Sequence, residues 1–195
     1  MTLSRRSAIL AILSLSALAS CVNQNRPPTQ QDNICAILDQ RPGWLNDLER
    51  TQRQWGVHPA DVMAIIWKES SFRARARTRR TYSLGSIPSG YISSAFGFSQ
   101  ALDGTWEWYQ DEANARGARR QSFRDAVDFI GWYMNQSLQR NNIALDDAEN
   151  QYLAYHEGHT GYARGSYRLK SWLPPVARQV QRQADLYRSQ LPYCR

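Results

Sequence analysis

Apolar positions recur at helical spacing along most of the chain. Leu45, Leu48 and Trp55 mark one helix, which Gly56 stops. Pro59 suits the first turn of the next, where Val62, Ile65 and Ile66 form a stripe that Glu69 continues. A helix opening at Thr105 runs through Trp106 and Tyr109 to about Ala115. Ser122 and Asp125 then form a start resembling a capping box, ahead of a buried stripe of Phe123, Val127, Ile130, Met134 and Leu138. One further helix is expected from about Asp146 to Glu157, ended by Gly158, and a last one follows Pro174-Pro175 through Val176, Val180, Ala184 and Leu191. No alternating pattern longer than a few residues argues for a strand, and no internal repeat is present. The expectation is one all-α domain over residues 41–195, long enough to bury a real core.

Outside these periodic stretches the composition changes. Residues 22–33, "VNQNRPPTQQDN", are polar with a Pro-Pro pair, so residues 22–40 read as a tether. The run from Ala8 to Ala19 behind Arg5 and Arg6 is too short for a bilayer span of about 20 residues but fits the core of an export signal. It ends in Leu18-Ala19-Ser20-Cys21, which resembles the lipobox of bacterial lipoproteins, with Cys21 as the lipidated residue. A plain secretory signal with an incidental cysteine is the competing reading. Val22 after the cysteine, where an aspartate would retain a lipoprotein, points by that analogy to the periplasmic face of the outer membrane. Ser4-Arg5-Arg6 also has a weak likeness to a twin-arginine signal. With Cys21 taken by lipid, Cys35 and Cys194 remain for an oxidising compartment, and a disulfide between them would staple the ends of the mature chain.

The formal net charge is +7 and falls by two when Arg5 and Arg6 leave with the signal. Most of the excess is arginine, concentrated in "RARARTRR", Arg73 to Arg80. In a cytosolic chain that run would suggest nucleic acid. Export argues against nucleic acid and towards envelope polyanions, with a solvated basic loop as the plain alternative.

Glu69 is the candidate for chemistry. A carboxyl ending an inward-facing stripe is partly desolvated, which raises its pKa and suits a general acid. A core carboxylate pinned by an arginine fits the same periodicity. The stretch "GVHPADVMAIIWKESSF", Gly56 to Phe72, resembles the first motif of the lytic transglycosylase superfamily, which has a goose-type lysozyme-like fold. Gly97-Phe98-Ser99-Gln100 resembles that family's Gly-Leu-Met-Gln motif, and Ala154-Tyr155-His156-Glu157-Gly158 its Ala-Tyr-Asn motif. The matches come in the family's order and span about residues 44 to 190.

This resemblance implies a peptidoglycan-cleaving enzyme with Glu69 as sole acid/base, no cofactor or metal, glycan strands as partner, and a 1,6-anhydromuramic product. It implies substrate-binding roles for Ser70, Thr78, Gly97, Phe98, Ser99, Gln100, Tyr155 and His156. From the residues themselves, Gly97 allows close backbone approach and Gln100 offers a donor and an acceptor to sugar groups. Phe98 would wall the groove, and Tyr155 would bring its hydroxyl to Glu69. Most glycosidases use two carboxylates; here Glu157 and Asp103 are the candidates for a second. His156 stands where the family has asparagine, Phe98-Ser99 replaces Leu-Met, and the loop over about residues 79 to 93 is longer than usual. Two other readings compete. "HEGH", His156 to His159, has histidines at i and i+3 but lacks the zincin spacing and a third ligand. A non-catalytic glycan-binding or envelope-organising module on the same fold differs by the use of one glutamate.

Overall fold

Asn33 opens the first helix by accepting the Ala36 N–H at 3.1 Å. A computed structural model describes residues 26–83 and 87–194; the expected signal segment and Cys21 lie outside them. Helix α1 spans Ile34–Gln40, α2 Trp44–Trp55 and α3 Pro59–Ser70. A two-stranded antiparallel hairpin follows, β1 Arg80–Ser83 against β2 Ile87–Tyr91, with Arg80 opposite Tyr91 and a bulge at Thr81/Tyr82. Then come α4 Asp103–Glu112, α5 Phe123–Asn141, α6 Ala148–Ala163, a 3-10 turn over Ser166–Leu169, α7 Leu173–Gln190, and a last 3-10 turn over Leu191–Tyr193. The all-α class holds, with the hairpin as a small addition in the long loop.

The sequence marks several of these ends by chemistry. The Ser122 side chain accepts from Asp125 N–H at the start of α5, and Asp147 accepts from Asn150 N–H at the start of α6. His58 caps α3 through Nδ1, which accepts from Ala60 N–H at 3.2 Å ahead of Pro59. Two expectations give way. Residues 34–40, read as the end of a tether, form α1 and bury Ile34 and Ile37 completely. Gly158 kinks α6 without ending it, taking φ 74° and ψ 157° before the helix resumes to Ala163.

The core is organised around α3, which packs against α2, α5, α6 and α7. Its apolar surface is wider than a stripe: Met63 and Ala64 are as fully buried as Val62, Ile65 and Ile66. A helix packed against partners on so many sides belongs in the centre of a fold. Gly131 lets α5 close on α2, because a Cβ there would lie 2.5 Å from the Thr51 side chain. Arg188 of α7 donates to both carboxylate oxygens of the fully buried Asp61 on α3, at 2.7 and 2.6 Å. Cys35 and Cys194 form the expected disulfide, joining α1 to the end of the chain across 159 residues. Closing a loop of that length stabilises by up to about 5 kcal/mol in the chain-entropy picture.

Candidate active site

Glu69 occupies the last turn of α3, where the buried helix meets a cleft of about 360 Å³, a volume ordinary for a small-ligand site. The cleft is walled by Gln100, Ala101, Leu102 and Thr105 on one side and by Phe129, Tyr133, Tyr155, His156, Glu157 and Gly158 on the other. Burial pushes the Glu69 pKa up to about 7, while a hydrogen bond from Tyr152 and the charge of Lys68 pull it down less strongly. The carboxyl is therefore substantially protonated at neutral pH, and it faces the cleft instead of an arginine.

The partner of Glu69 is not the expected one. The Tyr155 hydroxyl donates to the Ser99 carbonyl at 2.6 Å, tying α6 to the turn of residues 97–100. The hydroxyl on Glu69 belongs to Tyr152, one helical turn earlier on α6. The two tyrosines are three residues apart and share a face, so the spacing held the signal even though the motif directed attention to Tyr155. Burial, and next the charge of Glu69, hold the Tyr155 phenol well above its ordinary range. Both tyrosines thus act as neutral donors.

Several other expected contacts to substrate turn inward. Ser70 is fully buried and its Oγ donates to the Ile66 carbonyl at 3.2 Å, back into its own helix. Phe98 lies in an aromatic cluster, edge-on to Trp44 and Phe123, which stack on each other at 3.7 Å. It anchors the turn from beneath and does not wall the groove. Gly97 is required by protein packing, since at φ 80° a Cβ would come within 2.1 Å of the Arg120 carbonyl oxygen. Ser99 is fully buried and contributes its carbonyl to Tyr155. Thr78 exchanges hydrogen bonds with the backbone of Ser93, closing the neck of the hairpin away from the cleft. Gln100 does reach the cleft, at φ 51°; its Nε2 donates to the carbonyls of Ala76 and Gly97 at 3.0 and 2.8 Å, which leaves Oε1 as the end available to a ligand.

The kinked part of α6 brings one of the two candidate second carboxylates to the cleft. Glu157 lines the cleft with a side chain only 4% exposed. It accepts from Lys170 Nζ at 2.6 Å, from the Ser166 hydroxyl, and lies 3.0 Å from His156 Nδ1. Burial alone would raise its pKa, but these donors outweigh it and bring it down to about 2. Lys170 and Ser166 come from the segment after α6, a juxtaposition no helical period encodes. Asp103, the other candidate second acid, pairs with Arg120 at 2.6 Å on the surface. The histidines of "HEGH" diverge: His156 meets Glu157 and the edge of Trp172, whereas His159 stacks on Tyr133 with Nε2 3.1 Å from Ser137 Oγ. No group of three or more potential metal ligands occurs among the described residues.

No curated protein matches the chain closely enough to count as a relative. A family model described as "Transglycosylase SLT domain" matches residues 9–194, nearly the whole chain. The helical fold, the Glu-Ser end of α3 beside a cleft and this match agree: the chain belongs to the transglycosylase SLT domain family.

Proposed function

We propose that this protein is a peptidoglycan lytic transglycosylase that cleaves the β-1,4 bond between N-acetylmuramic acid and N-acetylglucosamine, with Glu69 as the acid. The observation that carries the reading is a carboxyl held near pKa 7 in the lining of a cleft of about 360 Å³, at the end of a largely buried helix. In the first step Glu69 gives its proton to the glycosidic oxygen as the C1–O bond breaks. The substrate's acetamido group shares the positive charge that develops at C1. The muramyl C6 hydroxyl then attacks C1 and loses its proton to a base in the cleft, giving the 1,6-anhydro ring. The Tyr152 hydroxyl, whose hydrogen bond moderates the Glu69 pKa, steadies the carboxyl through this cycle, and Gln100 Oε1, facing the cleft, accepts from a sugar hydroxyl or amide. A lipid on Cys21 and placement at the outer membrane belong to the same proposal and rest on the sequence alone.

The test is incubation of purified protein with sacculi and mass spectrometry of what is released. Anhydro-ended muropeptides, lost in Glu69→Gln with unchanged folding, are expected. Reducing-end products would make the protein a hydrolase of lysozyme type. Binding to sacculi with no release would favour the glycan-binding module instead.

A further inference from the structure

The cleft holds a second proton-handling group that a single-glutamate scheme leaves unused. The Glu157 carboxylate is fixed by Lys170 at 2.6 Å and by the Ser166 hydroxyl, and its Oε1 also meets His156 Nδ1 at 3.0 Å. An ionised carboxylate can only accept, so the hydrogen on the imidazole sits at Nδ1. The opposite nitrogen, Nε2, has no hydrogen-bond partner among the described residues, and the ring lines the cleft with Trp172 against its edge at 5.1 Å. A neutral asparagine could hold a sugar group without any carboxylate behind it. An ionised carboxylate behind Nδ1–H does something further: it fixes the tautomer and the ring orientation, so that Nε2 keeps a lone pair free to take a proton.

We propose that His156, held by Glu157 and Lys170, is the catalytic base of this enzyme, dividing with Glu69 the work that one carboxyl would otherwise do alone. This rests on the lytic reading above. As the attacking hydroxyl oxygen bonds to C1, its proton moves to His156 Nε2. The electron pair of the breaking C1–O bond goes to the leaving oxygen, which takes the Glu69 proton. The cycle closes when the imidazolium releases a proton to solvent and the Glu69 carboxylate takes one up. The charged groups around His156 are Glu69 from α3, Glu157 beside it on α6, and Lys170 from the segment before α7.

The experiment compares steady-state cleavage of purified glycan strands by the wild type, His156→Asn, Glu157→Gln and the double variant, with folding followed by circular dichroism. Each single variant is expected to lose about a hundredfold in kcat with KM nearly unchanged, and the double variant to be no worse than His156→Asn. Full turnover by His156→Asn would overturn the proposal, because asparagine keeps a hydrogen bond but cannot take a proton. Should Glu157→Gln fail to fold, the ring-nitrogen NMR signals of wild-type His156 decide its part. Hydrogen on Nδ1 with a bare Nε2 supports the assignment, and hydrogen on Nε2 overturns it. Absence of any turnover by the wild type would overturn the lytic reading and this one together, whereas an active wild type with an equally active His156→Asn would overturn this one alone.

Discussion

Two glutamates open on one cleft, and the protein treats them oppositely. Glu69 ends a helix whose neighbours are aliphatic, so burial dominates and its carboxyl keeps a proton up to about pH 7. Glu157 is also sheltered, yet Lys170, Ser166 and His156 converge on it and hold it ionised down to about pH 2. Burial by itself therefore says little about charge state; what decides is whether donors reach the buried oxygen. A pair of carboxyls driven apart in this way supplies one group that gives a proton and one that keeps its charge.

The largest effect should come from removing the acid. Glu69→Gln should lower release of anhydro products by about 10²- to 10⁴-fold, and the wild-type rate should fall as pH rises through about 7, where Glu69 ionises. A wild-type rate still rising at pH 9 would break the assignment of Glu69 as the acid.

Stability sharpens the contrast because the two groups act in different pH windows. The raised pKa of Glu69 gives a contribution fully present below about 4.5 and lost as pH rises through 7. Glu69→Gln should therefore match the wild type in acid and exceed it at pH 8, by up to roughly 3 kcal/mol. The depressed pKa of Glu157 works the other way, its contribution present above about 4.5 and lost as pH falls towards 2. Glu157→Gln should be less stable than wild type at pH 7, with the deficit closing in acid. Urea midpoints across pH measure both, and parallel curves for the two variants would contradict the opposed treatment.

A smaller change is expected from Tyr152→Phe. The lost hydrogen bond favours the charged form of Glu69, so its pKa should rise further, moving the alkaline limb of kcat/KM up by about one unit or less. No movement of that limb would separate Tyr152 from the acid. Tyr155→Phe should leave the limb in place and cost about 1 kcal/mol of stability through the bond to the Ser99 carbonyl. If Tyr155→Phe moves the limb and Tyr152→Phe does not, the expectation drawn from the motif was the better one.

Much of this molecule was legible along the chain. Most helix positions, the capping residue Ser122, the pairing of Cys35 with Cys194, and an acid at the end of an apolar helix all follow from local pattern. These depend on neighbours within a few residues or on which cysteines are left to pair. Periodicity also places Tyr152 and Tyr155 on one face of α6, but it cannot say which of them meets Glu69, because that depends on how α6 lies against α3. Ser70, Phe98 and Ser99 sit in the expected motifs and turn inward, since their orientation is set by Ile66, Trp44, Phe123 and Tyr155. Glu157, read from the sequence only as a possible second acid, gains its donors because the segment carrying Ser166 and Lys170 folds back onto it. The sequence by itself determined that Glu69 ends an apolar helix, where burial raises its pKa. Tertiary structure alone decided the partners of both carboxyls, because hydrogen bonds across elements depend on the packing of one segment on another.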